Sequence, residues 1–279
     1  MRRRRGGGYP PPLKRFGQHF LADRSVLERI AAALELTGSE TVVEVGPGRG
    51  ELTDLVRPHA ARLIAIEIDR TLAATLRERY ADDPVVEIVE ADVLETDPAA
   101  LAGGPYVLAG NVPYYITTPI LFQSLAPPQP LRSVFLVQRE VAERIVAPPD
   151  SAGYGALSVN VQALARPELL FAVPRTAFRP PPTVESAVVR LTPREEPLVA
   201  PAQSRAFQKF VQALFGMRRK QLQRVLRSVY PELGDSASAL LEKHGWSPAA
   251  RPETLSPAEL ARLFAVVTDA RAAPGAAPG

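Results

Sequence analysis

Five short apolar runs, each separated from the next by a stretch of helical character, restrict this chain to one class of fold. The runs are Thr41–Val45, Leu63–Ile68, Val86–Val89, Tyr106–Ala109 and Val134–Val137. They are rich in Val, Ile, Leu and Ala and do not alternate with polar residues. Strands of a parallel sheet covered on both faces have this character. Helical spacing fills the intervals, for example over Val26–Leu34 and Leu72–Tyr80. The alternation predicts an α/β fold, an open parallel sheet with helices on both faces. Two later runs, Leu169–Val173 and Ala187–Leu191, follow Pro-rich turns and suit a hairpin at one edge of the sheet.

The character changes after Thr192. Pro193, Pro197 and Pro201 mark a linker. Beyond it Phe207, Phe210, Val211 and Leu214, then Leu222, Val225, Leu226 and Val229, follow the i, i+3, i+4, i+7 spacing of amphipathic helices. Gly216 separates the two sets. The chain therefore divides into an α/β domain over 13–194 and a small helical domain over 195–271. Residues 1–12 and 272–279 read as disordered from composition.

Composition excludes several classes. Among 279 residues there is no cysteine, so disulfides and thiolate metal sites are absent, and no metal is expected. No apolar run reaches the ~20 residues of a membrane span. The basic start, Met1 to Arg5, is followed by Gly and Pro instead of the apolar segment of a signal peptide. The expectation is a cytoplasmic monomer without a membrane partner. Net charge is only +3, although the pI is about 9.3. Its distribution says more. From Ser204 to Arg227 there are seven basic residues and no acidic one. Ordinary solvated faces mix signs, so this stretch favours a polyanion, and Arg218, Arg219, Lys220 and Arg224 are the candidate RNA-binding residues.

The first strand runs into Glu44-Val-Gly46-Pro-Gly48-Arg-Gly50. A Gly-rich turn after a buried strand lets the backbone approach a ligand. The spacing departs from the dinucleotide pattern, because position 51 is Glu. Glu67 follows Gly46 by 21 residues, at the end of the second strand, where an acid can accept both ribose hydroxyls. The third strand also ends in an acid, Asp92. Each acid alone would read as a helix cap or a solvated loop carboxylate. Three at successive strand ends repel phosphate and suit a cationic sulfonium and ammonium on a phosphate-free adenosine. S-adenosylmethionine is that ligand.

The fourth strand ends in Gly110-Asn111-Val112-Pro113-Tyr114. Asn and Pro are common turn formers, but here the types match a chemical need. The lone pair of an adenine N6 amine is conjugated with the ring, so the amine is a weak nucleophile. Acceptors that hold both N–H groups aim the lone pair at a methyl group. Asn111 Oδ1 and the Val112 carbonyl can be those acceptors. Pro113 stiffens the turn, and Tyr114 offers a ring for stacking. Phe178, before three prolines, is a candidate second wall for a flipped base, and equally a core residue.

These residues make the chain closely similar to the bacterial small-subunit rRNA adenine dimethyltransferases, the KsgA family, from about Leu13 to Leu263. The resemblance is carried by Lys14-Arg-Phe-Gly-Gln-His-Phe-Leu21, the Glu44–Gly50 turn, Asn111-Val-Pro-Tyr114 and Phe178-Arg-Pro-Pro-Pro-Thr-Val-Glu-Ser-Ala-Val-Val-Arg-Leu191. In the second domain it is carried by Phe215-Gly-Met-Arg-Arg-Lys220 and Arg251-Pro-Glu-Thr-Leu-Ser256. It implies a Rossmann-like methyltransferase domain with a small C-terminal helical domain. It implies S-adenosylmethionine-dependent transfer of two methyl groups to each of two adjacent adenosines near the 3′ end of 16S rRNA, within an immature small subunit. Carried onto this chain, the cofactor residues would be His19, Leu21, Gly46, Gly48, Glu67, Asp92 and Asn111. The target-base residues would be Asn111 to Tyr114 and Phe178. One departure is His19, where the family usually has Asn. An imidazole can replace one amide hydrogen bond, so binding is expected to survive. The Arg- and Gly-rich start is a second departure.

Two other readings share parts of this pattern. The macrolide-resistance dimethyltransferases of large-subunit rRNA share the Gln-x-Phe-Leu and Phe-x-Pro-Pro-Pro-x-Val elements. Arg251–Ser256 and Phe215–Lys220 favour the small-subunit group. A non-catalytic assembly factor would not need intact Gly46, Glu67, Asp92, Asn111 and Tyr114. A DNA adenine methyltransferase would lack the Phe178–Leu191 element.

Overall fold

The computed structural model describes residues 19–272. The sequence readings for 1–12, most of 272–279 and Lys14–Gln18 lie outside them. Two compact units are present. The first combines the residues up to Ala142 with Pro167–Pro193, and the second combines Glu143–Arg166 with the residues from Arg194.

The first unit is built on a seven-stranded sheet in the order β4-β3-β2-β5-β6-β9-β7. Its strands are β2 (Thr41–Val45), β3 (Arg62–Glu67), β4 (Val86–Glu90), β5 (Tyr106–Asn111), β6 (Arg132–Gln138), β7 (Ala165–Val173) and β9 (Ser186–Pro193). A separate two-stranded ribbon pairs β1 (Phe20–Leu21) with β8 (Phe178–Arg179). Strands β4, β3, β2, β5 and β6 run parallel, and β9 runs antiparallel to β6. The central strands β2, β3, β5 and β6 are buried almost throughout, as continuous apolar runs require. At the edge, β4 has no fully buried residue: Val86, Ile88 and Val89 are partly buried, and Glu87 and Glu90 are exposed. The order places β2 and β5 side by side, with the chain winding away from each in opposite directions. That is a topological switch point, where open sheets bind ligands beyond the carboxyl ends of the strands.

Around the sheet are α1 (Arg24–Ala33), α2 (Glu51–Val56), α3 (Arg70–Arg79), α4 (Pro98–Ala102), α5 (Thr117–Ser124) and the start of α6 (Arg139–Val146). Asp23 caps α1 by accepting from the backbone N–H groups of Ser25 and Val26 at 2.9 and 3.3 Å. Val26, Leu27 and Ile30, at helical spacing, bury the inner face of α1. Asp69 caps α3 in the same way through Thr71 N at 2.9 Å.

The second unit contains α7 (Ala156–Leu164), α8 (Ser204–Phe215), α9 (Leu222–Val229), α10 (Ser236–Lys243) and α11 (Pro257–Ala272). Phe207, Phe210, Val211 and Leu214 are all buried, with Phe264 edge-on to Phe207 at 5.5 Å between ring centroids.

Three features differ from the sequence reading. Residues 143–166 pack with the helical unit, whereas the reading assigns everything to 194 to the α/β domain. The reason is that Tyr154, Val159 and Ala163 share a core with Phe207, Phe210 and Leu214. Ile68 and Asp92, read as strand ends, lie beyond β3 and β4, whose last pair is Glu67 opposite Glu90, so that Asp92 is free to cap the turn that follows. Phe178 and Arg179 form a strand with Phe20 and Leu21 and are not held by the prolines alone. The edge reading of the two late strands matches their neighbouring positions, with β7 outermost.

Candidate active site

A cavity of about 240 Å³ opens at the carboxyl ends of β2, β3 and β5. It is lined by all the residues that the sequence reading assigned to cofactor and target base: His19, Leu21, Gly46, Gly48, Glu67, Asp92, Asn111, Val112, Pro113, Tyr114 and Phe178. The sheet brings the two halves together. Val45 is in register with Gly110, so the glycine turn after β2 and the Asn111 turn after β5 leave the sheet side by side. Gly46 and Gly48 have φ of +68° and +60°. A Cβ on Gly48 would stand 3.0 Å from the Phe20 ring, so a side chain there would strain the backbone and crowd that ring.

The acidic half is buried. Glu67 is 4% exposed and accepts from Gly48 N at 3.1 Å and from Asp69 N at 2.9 Å. Those two bonds hold the carboxylate and leave further acceptor positions on its oxygens. Burial pushes its carboxyl up to about 7, and does the same to Glu44. Glu44 accepts from Thr53 Oγ1 at 2.6 Å, which ties β2 to α2. Asp92 lines the cavity while capping the short turn Val93–Glu95 through Leu94 N at 2.9 Å. Cap and cavity roles thus coincide at Asp92.

The amide half is held from a distance. Asn111 Nδ2 donates to the His19 carbonyl at 3.2 Å, 92 residues away in sequence. A carbonyl only accepts, so the bond fixes which end of the amide is nitrogen. It leaves Oδ1 as the acceptor. His19 is placed in turn by Nδ1 at 2.9 Å from the Pro180 carbonyl, and its ring stacks on Tyr114 at 6.3 Å and 24°. The Tyr114 hydroxyl bonds Ser186 Oγ at 2.8 Å, and burial raises its pKa. Val112 is 1% exposed. Phe178 is 2% exposed and belongs to the core, so it is a wall of the cavity and a core residue at once.

Four residues escaped the sequence reading. Ser186 orients Tyr114 from β9, with no local signal. Ile68, Leu94 and Tyr115 line the cavity although they are large, apolar and exposed. For Ile68 and Leu94 a signal exists: an apolar side chain stands one or two residues after an acid at or just past a strand end, where a solvated loop would be polar.

The basic candidates lie in the second unit. Arg218, Arg219 and Lys220 occupy the turn between α8 and α9, and Arg224 lies on α9. All four are exposed. Arg218 pairs with Glu253 at 2.7 Å, while Arg219, Lys220 and Arg224 have no ion pair among the described residues. No group of three or more His, Cys, Asp or Glu residues that could hold a metal occurs among the described residues. No helix among them is long and apolar enough to cross a membrane.

The donor set can be tested against a ligand. Among the described residues the cavity wall contains Glu44, Glu51, Glu67 and Asp92 and no Lys or Arg. A phosphate group would meet these carboxylates, whereas a cationic, phosphate-free adenosine derivative fits. A doubly wound sheet with a glycine turn and acids at its switch point defines the S-adenosylmethionine-dependent methyltransferases, and S-adenosylmethionine is the methyl donor. The chain belongs to the ribosomal RNA adenine dimethylase family, whose model matches residues 13–269. It is 44% identical over 255 residues, 88% of this chain and 89% of the relative, to the ribosomal RNA small subunit methyltransferase A of Synechococcus sp. strain JA-3-3Ab. The 23S rRNA methyltransferase ErmE has a similar structure, with a TM-score of 0.69 at 32% identity over 89% of this chain and 99% of its own. A dimethyladenosine transferase from Plasmodium falciparum shares the fold, with a TM-score of 0.75 at 24% identity over 91% of this chain and 98% of its own.

Proposed function

We propose that this protein dimethylates the N6 amines of two adjacent adenosines near the 3′ end of 16S rRNA, acting as a cytoplasmic monomer on an immature small subunit. The observation that carries the chemistry is the Asn111 amide, fixed with Oδ1 as acceptor beside an acidic, phosphate-excluding cavity. When bound, S-adenosylmethionine supplies a methyl group made electrophilic by its sulfonium. Glu67 would accept its ribose hydroxyls, the backbone at Gly46 and Gly48 would admit it closely, and Asp92 with the nearby Leu94 would border its base. His19 and Leu21 would complete the wall around it. In the first transfer Asn111 Oδ1 and the Val112 carbonyl accept the two N6 hydrogens and free the lone pair; in the second, one hydrogen remains for one of these acceptors. Tyr114 stacks on the adenine, and Phe178 backs the pocket. No strong base is required, since the methylated amine becomes acidic and gives its proton to solvent.

The choice of small-subunit RNA is supported by the 44% identity to a small-subunit methyltransferase against 32% to the 23S enzyme ErmE. The test supplies labelled cofactor with immature small subunits, mature small subunits, naked 16S rRNA and 23S rRNA. Label on adjacent adenosines of immature subunits is expected. Label confined to 23S rRNA would replace this reading with the macrolide-resistance one.

The helical unit supplies phosphate contacts. Of the four candidates, Arg219, Lys220 and Arg224 have no ion pair among the described residues, whereas Arg218 is engaged with Glu253. Each contact removed should flatten the salt dependence of RNA binding by about 0.7–0.9 in log–log slope. For the triple alanine variant the expected change is therefore about 2–3, with cofactor affinity unchanged. An unaltered slope would reduce the cluster to a solvated surface.

A further inference from the structure

Tyr115 is a large aromatic side chain on the cavity wall for which the reaction as proposed has no use. It is 61% exposed. A single exposed aromatic residue is ordinary on a protein surface. This one is set apart by its place. It is the middle residue of the short turn Tyr114–Ile116, which is closed by Ile116 N donating to the Pro113 carbonyl at 3.0 Å. Its neighbour Tyr114 is anchored by its hydroxyl to Ser186 and by a single ring contact to His19. Tyr115 has no hydrogen bond and no ring contact among the described residues. A fixed turn therefore displays an aromatic face to water at the mouth of a site that receives a base.

Consecutive Cα atoms are only ~3.8 Å apart, so the rings of Tyr114 and Tyr115 are carried on adjacent points of one turn. A flipped nucleotide brings its neighbour with it, and contacts to the flanking nucleotide set the sequence context of enzymes that act on extruded bases. We propose that Tyr115 stacks on the base next to the adenine held in the cavity, so that two successive tyrosines hold two successive bases and the enzyme prefers a purine at the neighbouring position. This rests on the methyl-transfer reading above. Every base has a face to stack on, and a purine offers the larger one. With two adjacent adenosines as targets, each would then serve as the stacking neighbour of the other.

The test uses the full chain with small subunits that lack the methyl groups, carrying either adenosine or uridine beside one target adenosine. Single-turnover transfer at sub-saturating subunit concentration reads capture. Stacking is worth about 1–3 kcal/mol per base, so Tyr115→Ala should lower this rate constant roughly 5- to 100-fold on the adenosine–adenosine subunits. Tyr115→Trp should restore it, and cofactor affinity should not move. On the uridine subunits the difference between wild type and Tyr115→Ala should shrink. An equal loss with both neighbours, or no loss with either, would overturn the proposal. A second readout is independent of transfer: a short RNA with 2-aminopurine beside an adenosine, whose fluorescence falls on stacking. If wild type transfers no methyl group, the methyl-transfer reading fails. Quenching that depends on Tyr115 would still uphold the stacking role, and quenching unchanged in Tyr115→Ala would refute it.

Discussion

Asn111→Ala is expected to slow methyl transfer by roughly 100- to 1000-fold at saturating cofactor and RNA. That is the usual cost of one preorganised group that acts mainly in the transition state. The amide is preorganised because its Nδ2 is spent on the His19 carbonyl at 3.2 Å, so Oδ1 needs no rearrangement to accept from the amine. RNA affinity should change little, since phosphate contacts dominate it. Single-turnover transfer separates the two effects. Tyr114→Phe is the matched control: it keeps the ring, loses only the bond to Ser186, and should stay within a few-fold of wild type. A near-normal rate for a folded Asn111→Ala protein would remove Asn111 from the chemistry.

Glu67→Ala should weaken cofactor binding roughly 10- to 100-fold, because hydrogen bonds to a charged acceptor are worth about 1.5–3 kcal/mol. The environment adds a pH dependence with a definite sign. Burial holds Glu67 and Glu44 at about 7, above the ordinary value of 4.5. A carboxylate that must accept two hydroxyls has to ionise, so affinity should rise as pH climbs from about 6 to 8, with proton release on binding. Glu67→Gln, similar in shape but uncharged, should flatten that rise. Stability without cofactor should move in the opposite direction. Both groups hold protons more tightly folded than unfolded, so their contribution is complete below about 4.5 and is lost as pH rises through about 7. Calorimetry of binding and thermal unfolding across this range would show both trends. Affinity that ignores pH in wild type would sink the role of the ionised carboxylate.

Both halves of the site were legible in the sequence, because each requirement falls on neighbouring residues. Gly46 and Gly48 follow a buried strand, Glu67 ends one, Asp92 lies two residues beyond the end of another, and Asn111 to Tyr114 are contiguous. Regular repetition made the sheet equally legible. What remained hidden was relational. Nothing near Asn111 announces that His19 orients it, and nothing near Tyr114 announces Ser186, 72 residues away. Helix α7 misled for the same reason. Its buried Leu157, Val159, Val161 and Ala163 fall inside the range 13–194 assigned to the α/β domain. The partners of Val159 and Ala163, in α8 and beyond, come later in the chain. Residues Ile68, Leu94 and Tyr115 belong to a third kind: apolar residues in loops, whose exposure is useful only when a ligand covers them.

The alternation of the two units along the chain has a genetic consequence. The polypeptide passes from one unit to the other after residues 142, 166 and 193. A stop at Pro193 would leave α7 without Phe207, Phe210 and Leu214, and its apolar face open to water. Such a fragment is expected to bind a hydrophobic dye that the full chain ignores. No single crossover can therefore graft the helical unit onto another methyltransferase, or remove it from this one. It is not a cassette: exchanging it whole takes both of its segments, 143–166 and the part from Arg194, together.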